Sequence, residues 1–122
     1  MKLKLPERRR FVRLDVPIEV FFYRNGAKSK LLTKNISPVG FMVETPEVFE
    51  VGESLECELK VSQEAVPVKL RGKIIWQNRR SLEDGAPYDV GIDILKIEDD
   101  GKNEFLRYLC DLLYGSEYRE RT

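Results

Sequence analysis

The strand pattern is clearest in Ser54-Leu55-Glu56-Cys57-Glu58-Leu59-Lys60-Val61, where apolar and polar residues alternate without a break. Successive side chains of a β-strand point to opposite faces, so strict alternation indicates one buried and one solvated face. The inward face is predicted to carry Leu55, Cys57, Leu59 and Val61, and the outward face Glu56, Glu58 and Lys60. The stretch therefore predicts a half-buried strand.

Three strands and a hairpin turn are predicted before this stretch. Residues 16–23 alternate in the same way, and Asn25-Gly26 directly after them is the strongest hairpin signal in the chain, because both residues tolerate positive φ. The return strand is expected over about residues 30–35, and a further strand resumes at Phe41-Met42-Val43. These segments predict a hairpin followed by a third strand.

Two longer strands are predicted after it. Residues 66–76 are long enough to curl around a barrel, with Gly72 as a bend or bulge, and residues 88–95 form the last strand. Strands of this number, length and spacing predict an all-β fold, a six- to seven-stranded antiparallel (Greek-key, split) barrel.

The end of the chain has a helical pattern. One apolar stripe comprises Phe105, Leu106, Leu109, Leu112 and Leu113. Asp99 or Asp100 is expected to cap the helix and Gly115 to end it. We expect this C-terminal α-helix to close one open end of the barrel; a helix that docks a partner is the alternative.

The length of 122 residues fits one domain. It is predicted to comprise a flexible N-terminal arginine-rich arm (1–13), a barrel with its closing helix (14–115) and a tail (116–122). The chain has 21 basic and 21 acidic residues, so its formal net charge is zero and any anion binding must be local.

The residue inventory argues against catalysis. The chain has no histidine and no C-x-x-C pair, which excludes a His-dependent nucleophile and a zinc site. We therefore expect no enzyme activity, no metal and no cofactor. Cys57 and Cys110 are expected to be reduced thiols. No run is long enough to cross a bilayer or to act as a signal peptide, so we expect a cytoplasmic protein without membrane insertion.

An arginine cluster opens the chain, in Glu7-Arg8-Arg9-Arg10-Phe11-Val12-Arg13. The guanidinium group is a planar fork of donors that matches a phosphate, or the O6/N7 edge of guanine, in bidentate fashion, whereas lysine offers only a point charge. Composition alone would favour a solvated tail. The cluster becomes informative together with a second motif after the hairpin.

That second motif is the polar turn Asn35-Ile36-Ser37-Pro38-Val39-Gly40. These residue types favour a tight turn between two strands, which would explain the motif without any binding role. As a site, Asn35 and Ser37 offer donors and acceptors for a guanine edge or a phosphate oxygen, and Gly40 lets a ligand approach the main chain.

Together the two motifs resemble the signature of PilZ domains, bacterial receptors for the second messenger cyclic di-GMP. The matching residues are Arg8-Arg9-x-x-x-Arg13 and Asn35-x-Ser37-x-x-Gly40. The later Gly72-Lys73-Ile74-Ile75-Trp76 and Val90-Gly91-Ile92-Asp93-Ile94 resemble later strands of the family, and a closing helix follows. Ile94 stands where the family often has Phe, a core substitution. The resemblance covers nearly the whole chain.

The resemblance implies a cyclic di-GMP receptor. It implies that Arg9 and Arg13 contact phosphate oxygens and guanine Hoogsteen edges, with help from Arg8. It also implies that Asn35 and Ser37 form hydrogen bonds with a base. Gly40 would let the ligand come close to the main chain. Arg8 also favours two intercalated ligand molecules per site. Trp76 has two interpretations: a single Trp on a strand is usually core, but at this place in the family an aromatic can stack on guanine.

Ligand binding is expected to order the arm, and the changed surface would be recognised by a downstream protein in motility, biofilm or secretion control. Two alternatives use the same fold. One is a PilZ-like adaptor that acts through protein contacts without nucleotide. The other is a small barrel that binds single-stranded RNA or DNA; the clustered charge and zero net charge argue against it, so no nucleic acid polymer is expected as a partner.

Overall fold

The computed structural model describes residues 13–61, 66–83 and 87–121. Within these ranges lie six strands and one helix: β1 (Glu19–Arg24), β2 (Ala27–Ser37), β3 (Gly40–Thr45), β4 (Ser54–Lys60), β5 (Val68–Arg79), β6 (Tyr88–Ile97) and α1 (Asp99–Arg121). The elements follow the order predicted from the sequence.

The six strands form a closed barrel in the order β1-β2-β3-β6-β5-β4, and pairing of β1 with β4 closes it. Every pairing is antiparallel. β4, β5 and β6 are consecutive neighbours while β3 lies beside β6, which is a Greek-key arrangement. The predicted all-β antiparallel barrel with a C-terminal helix is confirmed.

The alternation of buried and outward-facing side chains predicted for β4 is also confirmed. Leu55, Cys57 and Leu59 are buried, and Val61 just beyond the strand packs partly against the core. The hairpin between β1 and β2 turns at Asn25 and Gly26, with φ of 50° and 79°. β2 is longer than expected on both sides, because pairing with β1 and then with β3 extends it.

One end of the barrel is filled by the loop between β3 and β4. Its Phe49 is 2% exposed and packs on Phe22, with ring centroids 5.6 Å apart. The Gln77 side chain donates to the Phe49 carbonyl (2.9 Å) and accepts from its amide (2.8 Å), satisfying both buried backbone groups. Arg24 covers the Phe49 ring at 4.4 Å. The loop is therefore fixed to β1 and β5.

The helix covers the other end. α1 starts at Asp99 and places Phe105 (0% exposed) and Leu109 (5%) in the core. Gly101 contacts Val68 at the first residue of β5, whereas Gln77 lies near the end of that strand, so the two covers are at opposite ends. The closing role predicted for the helix is confirmed, although Leu106 and Leu112 face solvent.

The expected end of the helix at Gly115 is wrong, because α1 continues to Arg121. Glycine lowers helix stability by only about 1 kcal/mol, and no proline follows to stop the chain. Residues 116–121, predicted as a tail, are helical. None of the helices in the described residues is long and apolar enough to cross a membrane.

Phe105→Ala should lower the free energy of unfolding by about 3–5 kcal/mol, because it leaves a cavity where a fully buried ring joins helix to barrel. Leu106→Ala is the matched control one residue on, at a side chain that is 38% exposed, and should cost less than about 1 kcal/mol. Urea unfolding followed by circular dichroism measures both. Equal losses would show that the helix does not pack through Phe105.

The two free cysteines differ in accessibility: Cys57 is buried and Cys110 is exposed. Burial, with a smaller contribution from the negative charge of Glu56, raises the pKa of Cys57 from 9.0 to about 12. Because the thiolate is the reactive form, one thiol per native chain should react with an aromatic disulfide at pH 8, and two after unfolding. Cys110→Ser should abolish the native reaction; rapid labelling of that variant would contradict the buried position of Cys57.

Candidate functional site

The outer surface of four adjacent strands brings the motif residues into two parallel rows. In the first row, Asn35 of β2 is opposite Met42 of β3, Met42 is opposite Gly91 of β6, and Gly91 is opposite Trp76 of β5. In the second row the order is Ser37, Gly40, Asp93 and Lys73. Residues far apart in sequence thus become direct cross-strand neighbours.

The inner side of the same strands is core. Ile36, Phe41, Ile92 and Ile74 alternate with the residues of the two rows and are buried. Since alternate side chains of a strand point to opposite faces, the two rows lie outside the barrel. The candidate site is therefore on the barrel wall and not in its interior.

Bulges adjust the position of the polar residues. The β2–β3 register shifts between Thr33 and Asn35, and the β5–β6 register shifts between Ile74 and Trp76, so Lys34 and Ile75 are extra residues. An extra residue moves the following side chain to the other face. The expected irregularity near Gly72 is also present, between Arg71 and Gly72, although the extra residue there, Leu95, belongs to β6.

The bulge at Ile75 changes the interpretation of Trp76. Without it, Trp76 would share the inward parity of Ile74, which is why the sequence favoured a core position. That interpretation is wrong: Trp76 is only partly buried and lines a cleft on the outer wall. The alternative assignment, Trp76 as a surface beside the ligand motif, fits its position.

Gly91 lies directly beneath the indole of Trp76. A Cβ atom built on Gly91 would overlap the Nε1 and Cε2 atoms of the ring, so only glycine allows the indole to lie this close to β6. Gly91 was not among the site residues predicted from the sequence. Its signal was present, because a glycine inside an otherwise apolar strand often marks a close approach.

Arg13 is held beside this cleft by the backbone hydrogen bonds of the next residue, Leu14. The Leu14 amide donates to the Ile36 carbonyl (2.8 Å), and the Ile36 amide donates to the Leu14 carbonyl (3.0 Å). This bridge lays the chain alongside β2, so that Arg13 comes next to Asn35 and Ser37. The guanidinium is exposed at the rim of the cleft.

The turn between β2 and β3 is held by Ser37. Its hydroxyl donates to the Gly40 carbonyl and accepts from the Val39 amide, both at 3.3 Å. A Cβ atom on Gly40 would come within 2.5 Å of the Ile92 carbonyl oxygen, so the absence of a side chain lets β3 pair closely with β6. Both residues shape the turn as well as line the cleft.

The cleft has a volume of about 50 Å³, room for a few water molecules. It brings together five of the predicted site residues, namely Arg13, Asn35, Ser37, Gly40 and Trp76. The other two, Arg8 and Arg9, lie outside the described residues. The lining also includes residues that the sequence analysis did not assign to the site: Val39, Phe41, Met42, Ile75, Gly91, Ile92 and Asp93.

Arg79 and Arg80 form a second pair of arginines close to Trp76 in the sequence, but their side chains are bonded elsewhere. Arg80 bonds the Glu44 carboxylate at 2.9 Å, and Arg79 bonds the Glu83 carbonyl at 2.8 Å. Neither contributes to the cleft. Among the residues described, no three His, Cys, Asp or Glu side chains are grouped so that they could hold a metal ion.

Gly91→Ala should displace the indole of Trp76 and leave the barrel folded, because the added methyl takes the place of the ring on the outer wall. Trp76 is the chain's single Trp, so a red-shifted emission maximum and readier quenching by iodide would report the change directly. Gly101→Ala is the control, since its Cβ would contact Val68 and not the indole. An unchanged spectrum in Gly91→Ala would contradict the contact.

Three solved structures have similar folds. The PilZ domain of YcgR from Escherichia coli, solved with c-di-GMP, is 13% identical with a TM-score of 0.68, and the match covers 94% of this chain and 98% of that domain. The K. pneumonia MrkH–c-di-GMP complex is 14% identical with a TM-score of 0.70, covering 98% of this chain and 56% of MrkH. The Bacillus subtilis inhibitor of motility MotI/DgrA is 20% identical with a TM-score of 0.67, covering 83% and 48%.

The chain therefore spans about half the length of MotI/DgrA and of MrkH. At these identities the likeness establishes the fold alone. No curated protein matches the chain by sequence. The sequence model of the PilZ domain, however, matches residues 7–110, a span that includes both the arginine motif and the Asn35–Gly40 turn. With most of its length matched, this chain belongs to the PilZ domain family.

Proposed function

We propose that this protein is a non-enzymatic, cytoplasmic receptor for cyclic di-GMP. The observation that carries the proposal is the convergence of Arg13, Asn35, Ser37, Gly40 and Trp76 on one cleft of the barrel wall. Two of the similar structures, the YcgR PilZ domain and MrkH, are described as complexes with c-di-GMP. The same ligand chemistry suits the residues found here.

Each part of the ligand has a suitable partner in the cleft. The indole of Trp76 lies on Gly91 with its ring partly exposed, which suits stacking of a guanine. Arg13 offers a guanidinium fork at the rim for phosphate oxygens or a guanine Hoogsteen edge. The Asn35 amide, whose nitrogen is 3.8 Å from the Met42 sulfur, provides a neutral donor and acceptor for a base.

The small volume of the cleft supports a role for the arm. The cleft has room for only a few water molecules, so most of a ligand with two phosphates and two guanines would lie on the open wall. Arg8 and Arg9 precede Arg13 by only five and four residues, and a stretch of chain this short supports their taking part in binding beside Arg13. We propose that binding orders this arm over the ligand, and that Arg8 favours two ligand molecules per site.

The ordered arm would present a new surface to a downstream protein. Among the similar structures, MotI/DgrA is described as an inhibitor of motility. Control of motility, biofilm or secretion is the output that we propose for this chain, with the partner contacting the arm and the cleft rim. The alternative is an adaptor that uses protein contacts without the nucleotide.

Titration with cyclic di-GMP in a calorimeter should give saturable heat at tens of micromolar or below. Arg13→Ala should weaken binding roughly 10- to 150-fold, as expected for loss of a charge-assisted contact of about 1.5–3 kcal/mol. The double variant Arg9→Ala, Arg13→Ala should weaken it further. Stoichiometry near two ligands per chain would agree with the intercalated pair.

Arg71→Ala is the matched control, because it removes the same charge from an exposed arginine that pairs with Glu56 outside the cleft. It should leave the affinity unchanged. Absence of heat in the wild-type protein would favour the adaptor, and a loss in Arg71→Ala equal to that in Arg13→Ala would show a non-specific charge effect. A mixed single-stranded oligonucleotide should not compete for a discrete dinucleotide site.

A further inference from the structure

We propose that Lys34 is a positioning residue of the candidate site: its ion pairs with Asp89 and Glu44 hold the bulge of β2 in the register that turns Asn35 toward the ligand. The inference rests on the proposed function and adds a residue that does not itself line the cleft. A charged side chain outside the cleft would thus determine the affinity for cyclic di-GMP.

The two residues at the bulge, Lys34 and Asn35, lie between two residues whose positions are fixed. Thr33 is 4% exposed, and its hydroxyl makes two hydrogen bonds, of 2.6 and 2.9 Å, to the backbone of the segment before β1. Ile36 is fully buried in the core. Consecutive inward residues of a regular strand have one outward residue between them, whereas here there are two.

Packing inside the barrel does not decide which of these two residues faces the cleft. Both are partly buried, and the register aligns Asn35 with Met42 and leaves Lys34 as the extra residue. A bulge with Lys34 opposite Met42 would keep the same core residues inside. It would also put the lysine into the row that leads to the indole of Trp76. The choice therefore depends on interactions at the outer surface.

The outer surface offers Lys34 two carboxylates in the next row of the sheet. Glu44 of β3 and Asp89 of β6 are direct cross-strand neighbours. The Lys34 ammonium is 3.4 Å from the Asp89 carboxylate and 4.0 Å from that of Glu44. Because β3 lies between β2 and β6, the lysine side chain reaches across a whole strand. This contact draws Lys34 away from the row of Met42 and leaves that row to Asn35.

Arg80 completes a closed group of four charges. Its guanidinium is 2.9 Å from the Glu44 carboxylate and 3.8 Å from that of Asp89, so each carboxylate contacts both cations. The four side chains are only 22–45% exposed. An isolated surface ion pair contributes little, and a network of several charges is the arrangement in which such pairs become significant. The network can therefore fix the bulge without contacting the ligand.

The consequence for the site is the orientation of Asn35. In this register Asn35 lines the cleft, and its amide nitrogen is 3.8 Å from the Met42 sulfur. A thioether is a weak acceptor, so this contact orients the amide without competing strongly with a base. Loss of the Lys34 ion pairs should release the bulge, and the effect on binding should pass through Asn35.

The test is a double-mutant cycle on cyclic di-GMP binding, measured by calorimetry on the wild type, Lys34→Met, Asn35→Ala and the double variant. Methionine keeps an unbranched side chain without the charge. Lys34→Met should weaken binding roughly 3- to 10-fold, the range for loss of one neutral hydrogen bond. Asn35→Ala should weaken binding to the wild type by a similar factor, but to Lys34→Met by less than about twofold, because the amide is already misplaced.

Asp89→Asn separates positioning from a direct effect of charge. If Lys34 acted only as a cation near the ligand phosphates, removal of an acid beside it would strengthen binding. The positioning role predicts weaker binding, because Asp89→Asn removes the partner at 3.4 Å. The same variant repeats the cycle with Asn35→Ala if Lys34→Met fails to fold, which thermal unfolding and Trp76 emission would reveal.

Lys30→Met is the matched control, since Lys30 is in the same strand but pairs with Glu19 outside the cleft. It should bind cyclic di-GMP as the wild type does. A loss equal to that in Lys34→Met would show a non-specific effect of charge and overturn the inference.

Three further results would overturn the inference while the receptor function stands. They are unchanged binding in Lys34→Met, tighter binding in Asp89→Asn, and an Asn35→Ala loss that is equal with and without Lys34. A wild type that does not bind cyclic di-GMP would instead overturn the receptor function, and this inference with it.

Discussion

The candidate site depends on the contact between Trp76 and Gly91 on the outer wall of the barrel. Two features of the backbone create it: the extra residue Ile75, which moves the indole out of the core, and the missing side chain of Gly91, which lets the ring lie against β6. Burying the same indole inside the barrel would add apolar contacts but remove the flat exposed surface. The fold places a large aromatic ring outside its core, where it is available to a ligand.

The strand that carries Trp76 is held firmly at that point. Gln77, the next residue, bonds both backbone groups of Phe49, and the Phe49 ring fills that end of the barrel against Phe22. The approach of the chain to the cleft is fixed in the same manner, because the Thr33 hydroxyl donates to the Val16 carbonyl (2.6 Å) and accepts from the Ile18 amide (2.9 Å). Binding residues supported by packed neighbours keep their geometry without the ligand.

Charge is distributed in zones across the small cleft. The cation of Arg13 is at the rim, while the anion of Asp93 and the neutral amide of Asn35 line the wall. In a protein with zero formal net charge, such local separation and not the overall field would orient a ligand that has anionic phosphates and polar bases. In the proposed receptor, specificity would then depend on distances within one face of four strands, which the antiparallel register holds constant.

Much of the fold, and the residue types of the candidate site, were determined by the sequence alone. Alternation in β4, the Asn25-Gly26 turn and the helical stripe identified the barrel, the hairpin and the closing helix, because these are local periodicities. The arginine and turn motifs indicated the site through residue chemistry. The face on which Trp76 lies, the contact with Gly91, the place of Asp93 beside Gly40 and the continuation of the helix beyond Gly115 were decided only by the tertiary structure. A bulge is an extra residue in one strand of a pair, and its position depends on how both strands pair. The sequence of one strand therefore does not specify which side chains lie on the outer face.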